Sequence, residues 1–308
     1  LPTYQSAWLK THYPAAFLAG VLTHDPGMYP KRLIVDEARQ MGITIAPIDV
    51  NASDAVYRVE DHGNAIRIAL STVSGISDGE VQSIIAGRPY IDLNDFVRRS
   101  GCSTPVTESL ILTGGFDSLH SDVNRRDLLL HFSDLQKSPS AAVSGAQMNL
   151  GFEPPALISS GLPAMTASES VKHEIDRLGI DMSRHMIEFY GEFLNAIGAV
   201  RSSDLLKQRS QSSVLVAGIK VAMQTPPVRS GKRVIFLTLD DGYGCSDSTF
   251  FTDVQSEYAN VLYSTSLLLV RGVTRRTGAR GISIRATGAW DLRAAYESWS
   301  AKQSTLAI

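Results

Sequence analysis

Apolar positions along the first third of the chain recur first at helical and then at strand spacing. Trp8, Leu9, Ala15, Ala16 and Leu18 mark a helical stretch from Tyr4 to Ala19. Pro14 predicts an end or a kink inside it, because proline lacks the N–H and crowds the preceding turn. "YPKRLIVDEARQMG" predicts a second helix, with Pro30 near its first turn and Gly42 as its stop. "ITIAPIDVN" predicts a short strand weakened by Pro47, and "YRVE" and "AIRIAL" flank a "DHGN" hairpin turn. In "STVSGISDGEVQSIIAG", a tight turn at Gly75 leads into a helix from Asp78 to about Ala86, opened by a Ser77–Glu80 capping box. "LNDFVRRSG" and "PVTESLILTGGFDSL" predict another helix pair, with Gly114 and Gly115 at its turn.

Two short helix–glycine turn–helix units in tandem suit contact with a nucleic-acid backbone. Glycine lets the chain approach closely, and turn N–H groups with a helix N-terminus can face a phosphate. An ordinary pair of helix corners gives the same pattern. Residues 136–165 are rich in Ser, Pro, Gly and Ala and predict a linker. "TASESVKHEIDRLG" predicts one more helix, with a Thr166–Glu169 capping box and Gly179 as its stop.

The last third changes period. "SVLVAGIKVAMQT", "KRVIFLTLDD", "DSTFF", "SLLLVRGVTRR" and "GISIRATGAW" are five β-like runs, and "TDVQSEYANVL" predicts a helix between the third and fourth. That order describes an OB-fold barrel. The expected fold class is therefore α+β with several domains, a mostly helical region with tandem helix-hairpin-helix units followed by a five-stranded OB-fold β-barrel. The two loops that OB-folds use to hold single strands are basic here and carry Arg229, Lys232, Arg233, Arg275, Arg276 and Arg280. Phe236, Phe250, Phe251 and Tyr263 are available for stacking on bases. Alternation turns only some of them outward, and a small barrel needs aromatic filling.

Composition adds limits. The chain has 308 residues, 44% hydrophobic and 19% charged, with net charge −2, as in globular proteins. No run of about 18 apolar residues predicts a membrane span. The start, "LPTYQSAWLK", has neither Met nor a signal-peptide pattern and reads as the interior of a helix, as in a piece of a longer chain. Cys102 and Cys245 are too few and too distant for a disulfide framework or a zinc site, which fits a reducing cytoplasm. Charge is uneven: residues 1–135 hold 11 Lys/Arg against 16 Asp/Glu, residues 136–212 hold 7 against 8, and residues 213–308 hold 11 against 7. The last third is thus the expected meeting place for a polyanion.

Catalytic signatures are missing: there is no G-x-x-x-x-G-K-[ST], no H-E-x-x-H and no G-x-S-x-G. Asp240 and Asp241 are adjacent carboxylates, but strand neighbours point to opposite faces, and the pair precedes Gly242 in "DDGYG". A β-turn is the expected role. His12, His24 and His185 are scattered. One linker segment is oddly apolar: in "QMNLGF", Gln147, Leu150 and Phe152 fit Q-x-x-L-x-F. Such a peptide docks as an extended strand with Leu and Phe as buried anchors; alternatively the two residues pack on a neighbouring domain.

Several segments carry a family resemblance. "YQSAWLKTHYPAAFLAGVL", "ARQMGITIAPIDVNAS", "IRIALSTVSGIS" and "VTESLILTGGFDSL" occur in order, followed by "RLGIDMSRH" and "VLVAGIKVAMQTPPVRSGKRVIFLTLDDGYG". They resemble the region after the palm of bacterial DNA polymerase III alpha subunits, the C-family DNA polymerases, with a flavour of actinobacterial error-prone members. The resemblance implies the end of the polymerase fingers in residues 1–60, tandem helix-hairpin-helix units binding duplex DNA in 61–135, a linker with a sliding-clamp-binding peptide in 136–165, connecting helices in 166–212 and an OB-fold domain in 213–308. It implies Ser74, Gly75, Ser77, Gly114 and Gly115 as duplex contacts, Lys10 near the nucleotide, Gln147, Leu150 and Phe152 as the clamp peptide, and the six basic loop residues on single-stranded template.

Two positions depart from the family pattern. Gly75 is followed by Ile76 and Ser77 where the family has G-x-G, and Met186 stands where it has proline. The family's catalytic carboxylates and their magnesium belong to the palm, so no cofactor is expected in this chain and no polymerisation by it alone. Expected partners are duplex and single-stranded DNA, a sliding clamp and other replisome or mutasome subunits, with no membrane. A stand-alone nucleic-acid-binding accessory protein is the alternative.

Overall fold

The computed structural model describes residues 1–25, 27, 29–137, 157, 159–226, 233–279 and 281–306. The chain forms two compact units, Leu1–Arg184 and His185–Ile308.

The first unit opens with three helices, α1 (Pro2–His12), α2 (Pro14–His24) and α3 (Lys31–Gln40). Pro14 separates the first two as its chemistry requires. A three-stranded sheet follows, built from β1 (Thr44–Ala46), β2 (Arg58–Glu60) and β3 (Ala65–Arg67). β3 lies in the middle, parallel to β1 and antiparallel to β2 across the "DHGN" turn.

Side-chain hydrogen bonds hold the "PIDVNAS" segment in place. The Asp49 carboxylate accepts the Asn51 and Ala52 N–H groups at 2.7 and 2.9 Å, and the Asn51 side chain pairs with both backbone polar groups of Tyr90 at 2.8 Å. Four helices follow, α4 (Asp78–Ala86), α5 (Leu93–Arg99), α6 (Thr104–Leu112) and α7 (Arg125–Lys137). The last of the unit is α8 (Ala167–Leu178), which has the expected Thr166–Glu169 capping box and Gly179 as its left-handed stop.

The core of this unit is continuous. Phe96 packs edge-on to Tyr90 and to Phe116 with ring centroids 4.9 Å apart in both pairs, and all three are buried. Burial of such side chains is the main stabilising term, about 1.5–3 kcal/mol each.

The second unit begins with a 3₁₀ turn (Met186–Tyr190) and the short helices α9 (Gly191–Ala196) and α10 (Ser202–Leu205). The linking helices expected in 166–212 are therefore shared, α8 with the first unit and α9 and α10 with the second. The barrel strands are β4 (Ser213–Gln224), β5 (Ile235–Asp240), β6 (Cys245–Phe250), β7 (Leu267–Arg276) and β8 (Ile282–Asp291). They close in the order β4-β5-β6-β8-β7, antiparallel except for β6 beside β8. This is the OB order, with α11 (Thr252–Ser264) between the third and fourth strands as the sequence predicts. The terminal helix α12 (Leu292–Leu306) was not expected from the sequence.

Inward residues of all five strands fill the barrel, Phe250 among them. A second apolar cluster covers the outside of β4 and β7, where Ile219 and Leu267 meet Phe193, Leu292, Tyr296 and Trp299. Helices thus cover that face of the sheet, and the outward row on β5, β6 and β8 borders an open cleft.

Candidate nucleic-acid interface

At the first glycine turn, Gly75 has φ +80° and its missing Cβ faces open space. Ser74, Gly75 and Ser77 are exposed. The Ser74 N–H donates to the Arg177 carbonyl at 2.8 Å, while the Gly75 N–H and the Ser74 hydroxyl have no partner among the described residues. Ser77 caps α4: its hydroxyl accepts the Glu80 N–H at 3.3 Å and donates to the Glu80 carboxylate at 2.8 Å. The capping box of the sequence reading is present, with the Ser77 N–H also donating to Glu80 at 2.9 Å.

The second helix pair is arranged differently from the expectation. Its helices are α5 and α6, and the turn between them holds Gly101, exposed with φ +65°. Gly114 and Gly115 lie after α6 and are buried. Their N–H groups donate to the carbonyls of Ile111 at 3.2 Å and Leu110 at 2.7 Å. A Cβ at Gly114 would lie 2.8 Å from Asp117 Oδ2, and one at Gly115 3.1 Å from the Leu110 carbonyl. Arg125 covers this corner, donating to Asp117 at 2.6 Å and to the Leu112 carbonyl at 3.0 Å. The glycine pair serves close packing, and its donors are already used.

The two turns share a short sequence repeat. Gly75-Ile76-Ser77 and Gly101-Cys102-Ser103 are both Gly-x-Ser with glycine at positive φ, and each precedes a nine-residue helix. The Glu80 carboxylate joins the two turns. One oxygen takes the Ser77 N–H and hydroxyl, and the other takes the Ser103 N–H at 2.9 Å and its hydroxyl at 2.7 Å. These donors, the Ser103 amide first, hold the Glu80 acid down to about 2. Burial pushes the Cys102 thiol up to about 11, so it is no thiolate at neutral pH. Lys10 is an ion-pair partner of Glu37, joining α1 to α3.

On the barrel, register aligns one outward row across the sheet. Phe236 on β5 pairs with Gln224 on β4 and with Thr249 on β6, and Thr249 pairs with Arg285 on β8. These residues border an open cleft of about 1200 Å³ that Phe251, Asp247 and Arg275 also line. Phe236 is 46% exposed and Phe251 39%. The Arg285 guanidinium sits 5.5 Å from the centre of the Phe251 ring and 3.8 Å from Asp253 Oδ2. Cations stacked on aromatic rings of this kind are part of single-strand grooves.

The expected aromatics divide accordingly: Phe236 and Phe251 face the cleft, Phe250 fills the barrel, and Tyr263 is exposed on α11. Arg285 was not singled out from sequence; its place between Ile284 and Ala286, both buried, was the available signal.

The basic loop residues separate as well. Arg275 lines the cleft, and Arg233 is exposed at the start of β5. Arg276 instead donates to the carbonyls of Leu206 and Gln208 and so holds the segment before β4. Arg229, Lys232, Arg280, Gln147, Leu150 and Phe152 lie outside the described residues. Asp240 and Asp241 serve turns, as read from the sequence. Asp240 accepts the Gly242 N–H at 3.0 Å, and Asp241 accepts the Ser202 N–H at 2.7 Å and hydroxyl at 2.6 Å.

Fold and site together define an α+β protein that joins a helix-hairpin-helix region to a closed OB-type barrel. Residues 42–128 match the family described as "Helix-hairpin-helix motif". An error-prone DNA polymerase of Symbiobacterium thermophilum is 30% identical over 91% of this chain and 30% of its own length. An error-prone DNA polymerase of Bdellovibrio bacteriovorus is 29% identical over 91% of this chain and 28% of its own length. A DNA polymerase III subunit alpha of Vibrio cholerae is 28% identical over 97% of this chain and 27% of its own length. The chain belongs to the family of bacterial DNA polymerase III alpha subunits and error-prone DNA polymerases, and it spans less than a third of the length of these relatives. Among the described residues, no helix is long and apolar enough to cross a membrane.

Proposed function

We propose that this chain is the DNA-holding part of a C-family DNA polymerase acting in replication or error-prone synthesis. The barrel cleft takes single-stranded template, and the two Gly-x-Ser turns meet the duplex backbone. The outward row of Phe236, Thr249 and Arg285, with Phe251 stacked beside it on a closed OB-order barrel, carries this reading. Exposed rings offer stacking that every base can accept, and Arg275 and Arg285 offer charge to the phosphates. Duplex contact runs through backbone amides at Gly75 and Gly101 and is independent of base sequence.

The segment with Gln147, Leu150 and Phe152 is the sliding-clamp peptide in this reading. Nucleotide addition, and the magnesium it needs, belong to the palm of such a polymerase; no residue of this chain is assigned to the ion. Other replisome or mutasome subunits are the further partners, in the cytoplasm.

Titration of a labelled single-stranded oligonucleotide tests the barrel. The Phe236→Ala, Arg285→Ala double variant is expected to bind about 10- to 100-fold more weakly, since each stacked base contributes about 1–3 kcal/mol. Unchanged affinity would falsify the assignment of the cleft. Leu150→Ala with Phe152→Ala is expected to abolish capture by a bacterial sliding clamp and to leave the unfolding transitions in place. Loss of folding would mean that the two side chains pack on a domain instead.

A further inference from the structure

We infer that Asp247 makes the barrel cleft selective among bases, favouring strands whose bases carry an exocyclic amino group. The inference rests on the single-strand reading of the cleft and adds a preference that the stacking row alone does not supply.

Asp247 is exposed on β6 and lines the cleft. On the outer face of the sheet, Thr238 pairs with Asp247 two register steps from the pair of Phe236 with Thr249, the inward pair Leu237 and Ser248 lying between them. Diagonal neighbours of this kind lie roughly 7–8 Å apart. The two side chains span most of that separation, so a base stacked off-centre on the Phe236 ring can turn its hydrogen-bonding edge to the Asp247 carboxylate. The Thr238 hydroxyl donates to Asp247 Oδ1 at 2.7 Å and fixes the carboxylate. Oδ2 has no partner among the described residues. The other acid of the cleft is engaged differently, since Asp253 stands 3.8 Å from Arg285.

A carboxylate is an acceptor only. Cytosine N4 and adenine N6 donate to it. Thymine presents two carbonyl oxygens around its single N–H, and both are repelled. The cleft therefore reads one feature of a base, and the stacking rings read none.

Oligo(dC) and oligo(dT) of equal length are the probes, because the two pyrimidines have similar ring areas. The whole chain is expected to bind oligo(dC) about 3- to 10-fold more tightly, on the scale of one charge-assisted base contact. Asp247→Ala is expected to remove that ratio. Asp247→Asn presents an amide N–H₂ to the thymine carbonyl and is expected to shift the ratio toward oligo(dT). Equal affinities in the unaltered chain would overturn the inference, as would a ratio that neither variant changes. An equal rise for both probes in both variants would also overturn it, since that is loss of charge repulsion alone. Phe236→Ala separates the two levels: if it leaves both affinities unchanged, the cleft is not the path of the strand and the preference falls with it.

Discussion

The two units have opposite electrostatic character. Leu1–Arg184 holds 15 Lys/Arg against 21 Asp/Glu, and His185–Ile308 holds 14 against 10. The basic side chains around the Gly-x-Ser turns are largely paired within their own unit. Arg98 and Arg99 pair with Asp95, Arg125 with Asp117 and Arg126 with Glu169. In the proposed duplex contact the turns would offer a phosphate oriented N–H groups, whose placement is geometric. The barrel keeps Arg233 and Arg275 uncommitted among the described residues and adds exposed rings. In the proposed function the first unit would rely on shape and the second on charge and stacking, so the two differ in what a mutation can damage.

The largest expected effect is on the first unit's packing. Phe96→Ala removes a fully buried ring from the Tyr90–Phe96–Phe116 stack and is expected to cost about 3–5 kcal/mol. Hydrogen exchange resolved by unit checks it: protection should fall in Leu1–Arg184 and stay in the barrel. A fall in both would mean that the units do not unfold separately.

Glycine substitutions sharpen the contrast within the first unit. Gly101→Ala meets only the strain of φ +65°, about 1–2 kcal/mol, since the nearest atom to its Cβ is Ser83 Oγ at 3.8 Å. It is expected to weaken duplex binding. Gly114→Ala has φ +90° and also collides with the Asp117–Arg125 corner, so its loss of stability is larger. Its duplex affinity in the folded state should be unchanged. Equal effects of the two on duplex binding would return the Gly114–Gly115 turn to the interface.

Acidification separates the units most gently. Burial lowers the pKa values of His120, His131 and His173, all in the first unit. Neutral His120 accepts the Leu93 N–H at 3.0 Å and so caps α5. These groups stay neutral in the folded state while the unfolded chain takes up protons near pH 6.5, so the stability they hold is complete above that pH. It is lost as pH falls from about 6.5 toward their lowered values. Burial raises the Glu174 acid in the same unit, which acts in the opposite direction as pH falls. Thermal melts of a Glu174→Gln variant across that range should therefore show the first unit weakening on acidification; indifference of that variant contradicts the desolvation of the three imidazoles.

Local chemistry explains what was legible. The capping boxes at Ser77–Glu80 and Thr166–Glu169, the helix break at Pro14 and the Gly179 stop depend on neighbours within a few residues, and each is where the pattern put it. The barrel was legible because alternation sets β5, β6 and β8 half inward and half outward, and the helix between the third and fourth strands fixed their order. Glycine roles were not legible in the same way. Gly101 and Gly114 look alike along the chain, and only packing shows that one is open and the other walled in by Arg125 and Asp117. Glu80 read as half of a capping box, and its second oxygen found Ser103, 23 residues on.

The sequence by itself determined the order of elements, their caps and the OB-type barrel, because these follow from periodicity and from bonds between near neighbours. Only the tertiary structure decided which side chains meet across the fold. Cross-strand register aligned Phe236, Thr249 and Arg285, and long-range hydrogen bonds tied the two Gly-x-Ser turns to one carboxylate. Such contacts join residues distant in the chain, and their partners are set by how the elements pack.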